Sequence, residues 1–203
     1  MCNVDVATAL SGALGLSGAA GLNAWIPLFA TGLLHRLDVL DVAAPYDELA
    51  TTPGLIIVAV LLVADFVGDK VPAVDSALHA VGAVVSPLAG AVVFAGQAGV
   101  VDEVPPVISL ITGGAVAGAF HATRSGARPV VTALTAGLGN PAVSLAEDIV
   151  STSFTAVAVV VPLLAFLLIP AAFVALLLAG RAAVRRMRGP AGPGAGGPPP
   201  PAA

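Results

Sequence analysis

The chain has 203 residues, of which 58% are hydrophobic and only 10% charged, and its formal net charge is −4. Soluble domains carry about 25% charged residues, so this composition excludes an ordinary soluble enzyme or binding domain. The single cysteine, Cys2, excludes an intrachain disulfide and a cysteine-based zinc site, and the absence of a basic patch with interleaved aromatic residues argues against a nucleic-acid partner.

Apolar blocks of about 20 residues recur along the chain, the length that crosses a hydrocarbon core of about 30 Å. They predict an all-α, polytopic transmembrane helix bundle of about six spans within residues 1–180, with the lipid bilayer as its surroundings. The predicted spans lie near residues 7–34, 53–69, 74–95, 107–122, 129–148 and 149–180. Residues 181–203 form a cytoplasmic arginine cluster and a Pro/Gly-rich tail that is predicted to be disordered.

The first predicted span has a glycine at every third position from 12 to 21, a strip that lets another helix approach closely. Such a strip serves a homodimer or internal packing equally well. Asn23 and Pro27 interrupt the second half of the span. Either proline kinks the helix and Asn23 satisfies a freed carbonyl, or the helix is broken and exposes backbone groups to a ligand.

The stretch from Asp65 to Asp75 reads D-F-V-G-D-K-V-P-A-V-D and separates two apolar runs. Asp65 and Asp69 are four residues apart and share a helix face, Lys70 is adjacent, and His79 follows Asp75 at the same spacing. Carboxylates and an imidazole across a helical hairpin suit a cation or a proton relay, and the identity of any metal stays open. Alternatively, these groups lie at the water interface and pair with one another.

Two further polar groups follow. His121, Arg124 and Arg128 end the fourth predicted span, and they either obey the positive-inside rule, pair with Asp65 and Asp69, or hold an anionic headgroup.

The second group comprises Asn140, Ser144, Glu147 and Asp148, beside the Gly-Leu-Gly-Asn-Pro sequence at 137–141. It forms either a turn at the outer end of a helix or, if the helix breaks inside the membrane, a candidate ion site.

The distribution of basic residues predicts orientation. With six spans and a cytoplasmic N-terminus, seven of the eight basic residues lie inside, including the cluster after residue 180. We therefore expect a multi-pass protein of the cell inner (cytoplasmic) membrane with both termini cytoplasmic. In this arrangement Asp65 and Glu147 lie toward opposite faces, so one shared ion site would require broken helices.

Weak internal similarity links the two halves of the chain. Asp65-Phe66-Val67 resembles Asp148-Ile149-Val150, and each triplet is followed by a proline 22 residues after its aspartate. The matches are either chance in an Ala/Val/Gly-rich chain or the trace of two inverted three-helix repeats with broken helices, an architecture typical of transporters.

Several short motifs resemble a known family. They are A-G-L-N-A at 20–24, D-K-x-P-x-x-D-S at 69–76, H-x-x-R-x-x-x-R at 121–128 and N-P-x-x-S-L-x-E-D at 140–148. Together they resemble the bacterial membrane family catalogued as domain of unknown function 4126, over about residues 7–180. In that family glutamate often stands at the position of Asp65 and lysine at that of Arg124, so both departures keep the charge. The resemblance implies a membrane location and no established activity.

The expected function is a small secondary transporter or exchanger for a cation or small solute. Asp65, Asp69, Glu147 and Asp148 would bind the cation or proton, Asn23 and Asn140 would line helix breaks, and Lys70, Arg124 and Arg128 would balance charge, with Asp75, His79 and His121 as other polar candidates. The alternative is a non-transporting membrane scaffold or accessory subunit. A lipid-modifying enzyme with His79 or His121 as its base is a third reading, but no catalytic motif supports an enzyme and no cofactor is expected.

Overall fold

The computed structural model describes residues 6–69, 71–99 and 104–187, and every regular element within these ranges is a helix. This confirms the predicted all-α fold. The seven α-helices are α1 (Val6–Leu22), α2 (Trp25–Arg36), α3 (Thr52–Gly68), α4 (Pro72–Ala98), α5 (Pro106–Thr135), α6 (Asn140–Val160) and α7 (Pro162–Met187). A short 3-10 helix, Tyr46–Ala50, lies in the connection between α2 and α3.

In the described part of the chain, four helices are long and apolar enough to cross a membrane: Ala77–Ala98, Pro106–Thr135, Asn140–Val160 and Pro162–Ala179. Helices α1 and α3 are shorter but also apolar. Large apolar side chains such as Leu167 are exposed on the outside of the bundle, where water would be unfavourable and lipid is favourable. The architecture therefore fits an integral membrane protein.

Proline positions explain the helix boundaries only in part. Helix α5 continues through Pro129 to Thr135, so the predicted fourth span and the start of the fifth are one helix. The helix ends where Ala136 and Gly137 adopt left-handed backbone angles, with φ of 51° and 84°, a frequent way to end a helix. Helix α6 then begins at Asn140.

Helix α1 is the centre of the bundle, and twelve of its seventeen residues are buried. It runs antiparallel to α4, because Ala13 packs with Phe94 and Ala98 while Ser17, one turn later, donates a hydrogen bond to the carbonyl of Gly90 at 3.0 Å. It runs parallel to α7, since Pro162 lies beside Gly12 and Ile169 beside Gly18.

Helix α2 does not continue α1 across the bundle but turns back. Its C-terminal residue Arg36 donates a hydrogen bond to the Thr52 hydroxyl at the start of α3 (2.9 Å), whereas Asn23, just before α2, bonds to Asp65 near the end of α3. Helices α2 and α3 are therefore antiparallel. Because α3 leads into α4, which is antiparallel to α1, α1 and α2 form a helical hairpin with its tip at Asn23.

The bundle consequently has two distinct ends. The acidic end holds the start of α1 and the α2–α3 connection with Asp38, Asp41, Asp47 and Glu48. The basic end holds the α5–α6 connection and the end of α7 with Arg181 and Arg185. Among the described residues, Val6 and Met187 thus lie at opposite ends of the bundle. The side of the membrane on which each terminus lies stays a prediction.

The hairpin tip lies inside the bundle rather than at its surface. Asp148, which Asn23 contacts, follows the start of α6 by eight residues, or about 12 Å of helix. Arg124, which contacts Leu22, precedes the end of α5 by eleven residues, about 16 Å. The tip is therefore surrounded by α3, α5 and α6 well before the basic end.

Candidate functional site

The break between α1 and α2 leaves two backbone carbonyls without their normal helical donors. In a continuous helix, Leu22 would accept from the N–H of Ile26 and Asn23 from that of residue 27. The Ile26 N–H instead donates to the Asn23 side chain at 3.3 Å, and Pro27 has no N–H. The sequence Asn-Ala-Trp-Ile-Pro therefore favours a helix break at this point.

Side chains from neighbouring helices satisfy the freed carbonyls. A guanidinium nitrogen of Arg124 donates to the carbonyl of Leu22, and the Ser151 hydroxyl donates to the carbonyls of Ala19 at 3.0 Å and of Asn23 at 3.5 Å. The helix is therefore broken, and Arg124 and Ser151, rather than the Asn23 side chain, supply the polar partners of the freed carbonyls, as apolar surroundings require. Binding of a ligand at the break stays a prediction.

The Asn23 side chain joins three helices. Its Oδ1 accepts hydrogen bonds from the backbone N–H groups of Trp25 (2.9 Å) and Ile26 (3.3 Å) and so caps α2. Its Nδ2 donates to Asp65 Oδ2 on α3 at 3.0 Å and to Asp148 Oδ1 on α6 at 2.8 Å. These two carboxylate oxygens therefore lie no more than 5.8 Å apart, although the six-span arrangement had placed their segments toward opposite faces.

The ends of the two hairpin helices match the charges around them. The N-terminus of a helix carries partial positive charge and the C-terminus partial negative charge. At the tip, Asp65 and Asp148 meet the N-terminus of α2 through Asn23, while the cationic Arg124 meets the C-terminus of α1 through Leu22. The hairpin thus brings a carboxylate pair and a guanidinium to one point in an apolar bundle.

Glu147 belongs to a second, adjacent cluster. Its Oε2 accepts from Arg124 Nη1 at 3.0 Å and from Arg128 Nη2 at 2.8 Å, and Arg128 Nη2 also donates to the Ser144 hydroxyl at 2.7 Å. The side chains of the three charged residues are only 10–13% exposed. Because successive residues of an α-helix point about 100° apart, Glu147 faces the arginines while Asp148 faces Asn23.

A cavity of about 390 Å³ connects this region with the basic end of the bundle. It lies between the end of α3 and the start of α6, and its lining residues are Phe66, Asp69, Pro141, Ala142, Ser144, Leu145 and Asp148. Asp69 thus lines the same cavity as Asp148. Asp148 is the member of the carboxylate pair that lines this cavity.

The two histidines lie together, apart from the carboxylate pair. The rings of His79 and His121 stack with centroids 5.2 Å apart, and the Ser86 hydroxyl lies 3.2 Å from His121 Nδ1. Gly82 permits this arrangement, because a Cβ at that position would lie 2.8 Å from His121 Cε1.

The remaining predicted residues lie elsewhere. Asn140 begins α6, and its side-chain oxygen accepts from the Thr132 hydroxyl at 3.1 Å, about 12 Å along the helix from Asp148. Asp75 lies in the first turn of α4, and Lys70 falls outside the described residues. Within the described ranges, no three His, Cys, Asp or Glu side chains are grouped so as to hold a metal ion.

Two serines of the site were not predicted as partners. Ser144 bonds to Arg128, and Ser151 bonds to the hairpin tip. Their signal was present in the sequence, because positions 144, 147, 148 and 151 share the i, i+3, i+4, i+7 spacing of neighbouring residues on a helix. The internal similarity had paired Asp65 with Asp148, and these are the two residues that meet on Asn23. The inverted repeat itself stays a prediction.

Comparison with known proteins gives one match. The family model described as Domain of unknown function (DUF4126) matches residues 10–182. No curated protein and no solved structure matches the chain. All the side-chain interactions of the hairpin tip and of the Arg124–Glu147–Arg128 cluster lie within the matched residues.

Proposed function

The chain belongs to the DUF4126 family, and we propose that it is a small secondary transporter or exchanger whose Asp65–Asp148 pair binds a cation or a proton. The observation that carries the proposal is the hydrogen bonding of both carboxylates to one Asn23 amide at the tip of a helical hairpin. Broken helices with polar tips inside the bundle are the usual substrate and ion sites of secondary transporters.

Energetics also favour a functional role for the acids. A charged side chain at the centre of a membrane helix costs about 2.5–3.5 kcal/mol on insertion scales, so such residues are rarely kept for stability alone. Glu147 already forms ion pairs with two arginines. Asp65 and Asp148 instead accept hydrogen bonds from the neutral side-chain amide of Asn23. A bound cation or proton would compensate their charge.

The cavity gives the proposed site a direction of access. It reaches Asp148 from the basic end and passes Asp69. On the acidic side of the tip, α1 packs closely against α4, α6 and α7 through small residues. We propose that the basic end faces the cytoplasm, following the positive-inside rule. The site would then be open to the cytoplasm and closed to the other side in this conformation.

Ion-dependent thermal stabilisation of the purified protein tests the proposal. A ligand that binds the folded state stabilises it by RT ln(1 + [L]/Kd), about 2.7 kcal/mol at a hundredfold excess over Kd. Na⁺, K⁺, Mg²⁺, Ca²⁺ and Mn²⁺ are screened at several pH values, and flux of any ion that stabilises the protein is then measured in proteoliposomes.

The matched variants are Asp65→Asn and Asp38→Asn, which make the same chemical change at the site and in the acidic connection. Asp38 has a φ of 56°, a conformation that asparagine also tolerates. We expect ion-dependent stabilisation and flux to be lost in Asp65→Asn and kept in Asp38→Asn. Stabilisation that persists in Asp65→Asn contradicts the assigned site, and no response of the native protein to any ion or to pH favours the scaffold alternative.

A further inference from the structure

A second cavity is lined by Glu147 but by neither member of the carboxylate pair. It is a crevice of about 260 Å³ between α5, α6 and α7, near the lower size limit of pockets that bind small molecules. Its walls are almost entirely apolar and include Phe120, Phe154, Ala172 and Leu176, and the charged residues that line it within the described part of the chain are Arg124 and Glu147.

Arg124, one of the residues that line the crevice, has an unused hydrogen-bond donor. Arg124 donates through Nη1 to Leu22 and Glu147, but its Nε is buried and has no hydrogen-bond partner among the described residues. A buried N–H group without an acceptor is unfavourable, and a guanidinium N–H binds an anionic oxygen better than a neutral one. A ligand that supplies such an oxygen would satisfy Arg124.

The apolar part of the crevice faces the lipid side of the bundle. Val150, one of its lining residues, is 41% exposed, and the neighbouring Ile149 is 58% exposed. An aliphatic chain in the bilayer can therefore reach the crevice without crossing water. The volume suits one chain and a small head group better than the two chains and large head group of a phospholipid.

We propose that this crevice binds a single-chain amphiphile of the fatty-acid class, with the chain against Phe120, Phe154 and Leu176 and the carboxylate on Arg124 Nε. The proposal does not depend on cation transport through Asp65 and Asp148. It adds a second ligand whose head group would lie on the same arginine that holds the hairpin carbonyl of Leu22.

Direct binding of radiolabelled palmitate to the full chain in nanodiscs tests the proposal. Ala172→Phe places a ring in the crevice, whereas Ala171→Phe makes the same change at an adjacent exposed residue that does not line it. Because the ring would occupy space that the aliphatic chain needs, we expect palmitate to bind at least about tenfold more weakly to Ala172→Phe. Binding to Ala171→Phe should stay within about twofold of the native value.

Competition identifies the head group. Unlabelled palmitate should displace the label well and hexadecanol, which lacks the carboxylate, poorly. Equal displacement by hexadecanol, equal binding by the two phenylalanine variants, or non-saturable uptake of palmitate as into protein-free nanodiscs would each overturn the proposal. None of these results bears on the ion response of Asp65→Asn, so the two proposals can fail separately.

Discussion

Replacement of Asn23 by alanine gives the sharpest test of the hairpin tip. The variant removes the cap on α2, worth about 0.5–2 kcal/mol. It also removes two hydrogen bonds to Asp65 and Asp148, worth about 0.6–1.7 kcal/mol each inside a membrane protein. We therefore expect Asn23→Ala to lower the free energy of unfolding by about 2–5 kcal/mol.

A serine at the same position separates the two contributions. Serine is a good helix cap, but its side chain is too short to bridge both carboxylates, so Asn23→Ser should lose the carboxylate bonds and keep the cap. It is expected to be more stable than Asn23→Ala by about 1 kcal/mol. The matched control is Asn140→Ala, which removes one exposed hydrogen bond at another helix start and should cost no more than about 0.5 kcal/mol.

Unfolding in mixed micelles with increasing dodecyl sulfate measures these differences. The single tryptophan, Trp25, lies two residues from Asn23 and reports local loss of structure, while circular dichroism reports the helices. If Asn23→Ala and Asn140→Ala unfold within about 0.5 kcal/mol of each other, the Asn23 amide does not organise the bundle and the central argument for the site is wrong.

Two further predictions concern packing and topology. A Cβ at Gly21 would lie 2.5 Å from the carbonyl oxygen of Ala117, whereas a Cβ at Gly126 would have nothing within 4 Å. In the same unfolding assay, Gly21→Leu should therefore lower the free energy of unfolding by at least about 1–3 kcal/mol, and Gly126→Leu should change it little. Equal losses of stability would contradict the packing of α1 on α5. For topology, Cys2 is replaced by serine, and Ala7→Cys and Arg185→Cys are then introduced separately. The two new cysteines should react with a membrane-impermeant maleimide from opposite sides of the membrane. Labelling of both from one side would refute the hairpin.

Local sequence features predicted much of the fold. Apolar block length located the helices, and the pair Asn23 and Pro27 indicated a break, because a proline removes a helical donor and a nearby asparagine can cap the next helix. The direction of the chain after that break could not be predicted. A kink and a reversal use the same residues, and only packing of α2 along α3 decides between them.

The candidate site was predictable residue by residue but not as a group. Ionisable residues within apolar runs of the sequence indicated Asp65, Glu147 and Asp148 individually. Their placement depended on where α5 ends, and Pro129 suggested an earlier end than the left-handed turn at Ala136 and Gly137 provides. Once α5 extends to Thr135, α6 enters from the basic end, and Asp148 is carried to the same level as Asp65.

The central position of α1 has a consequence for how the protein is made. Helix α1 is synthesised before α4, α5, α6 and α7, yet much of the surface that buries it belongs to these later helices. Its glycine-rich face therefore has few partners during early membrane insertion, when helices cross the bilayer before they pack. The first hairpin therefore gains much of its packing surface only after the later helices have been inserted.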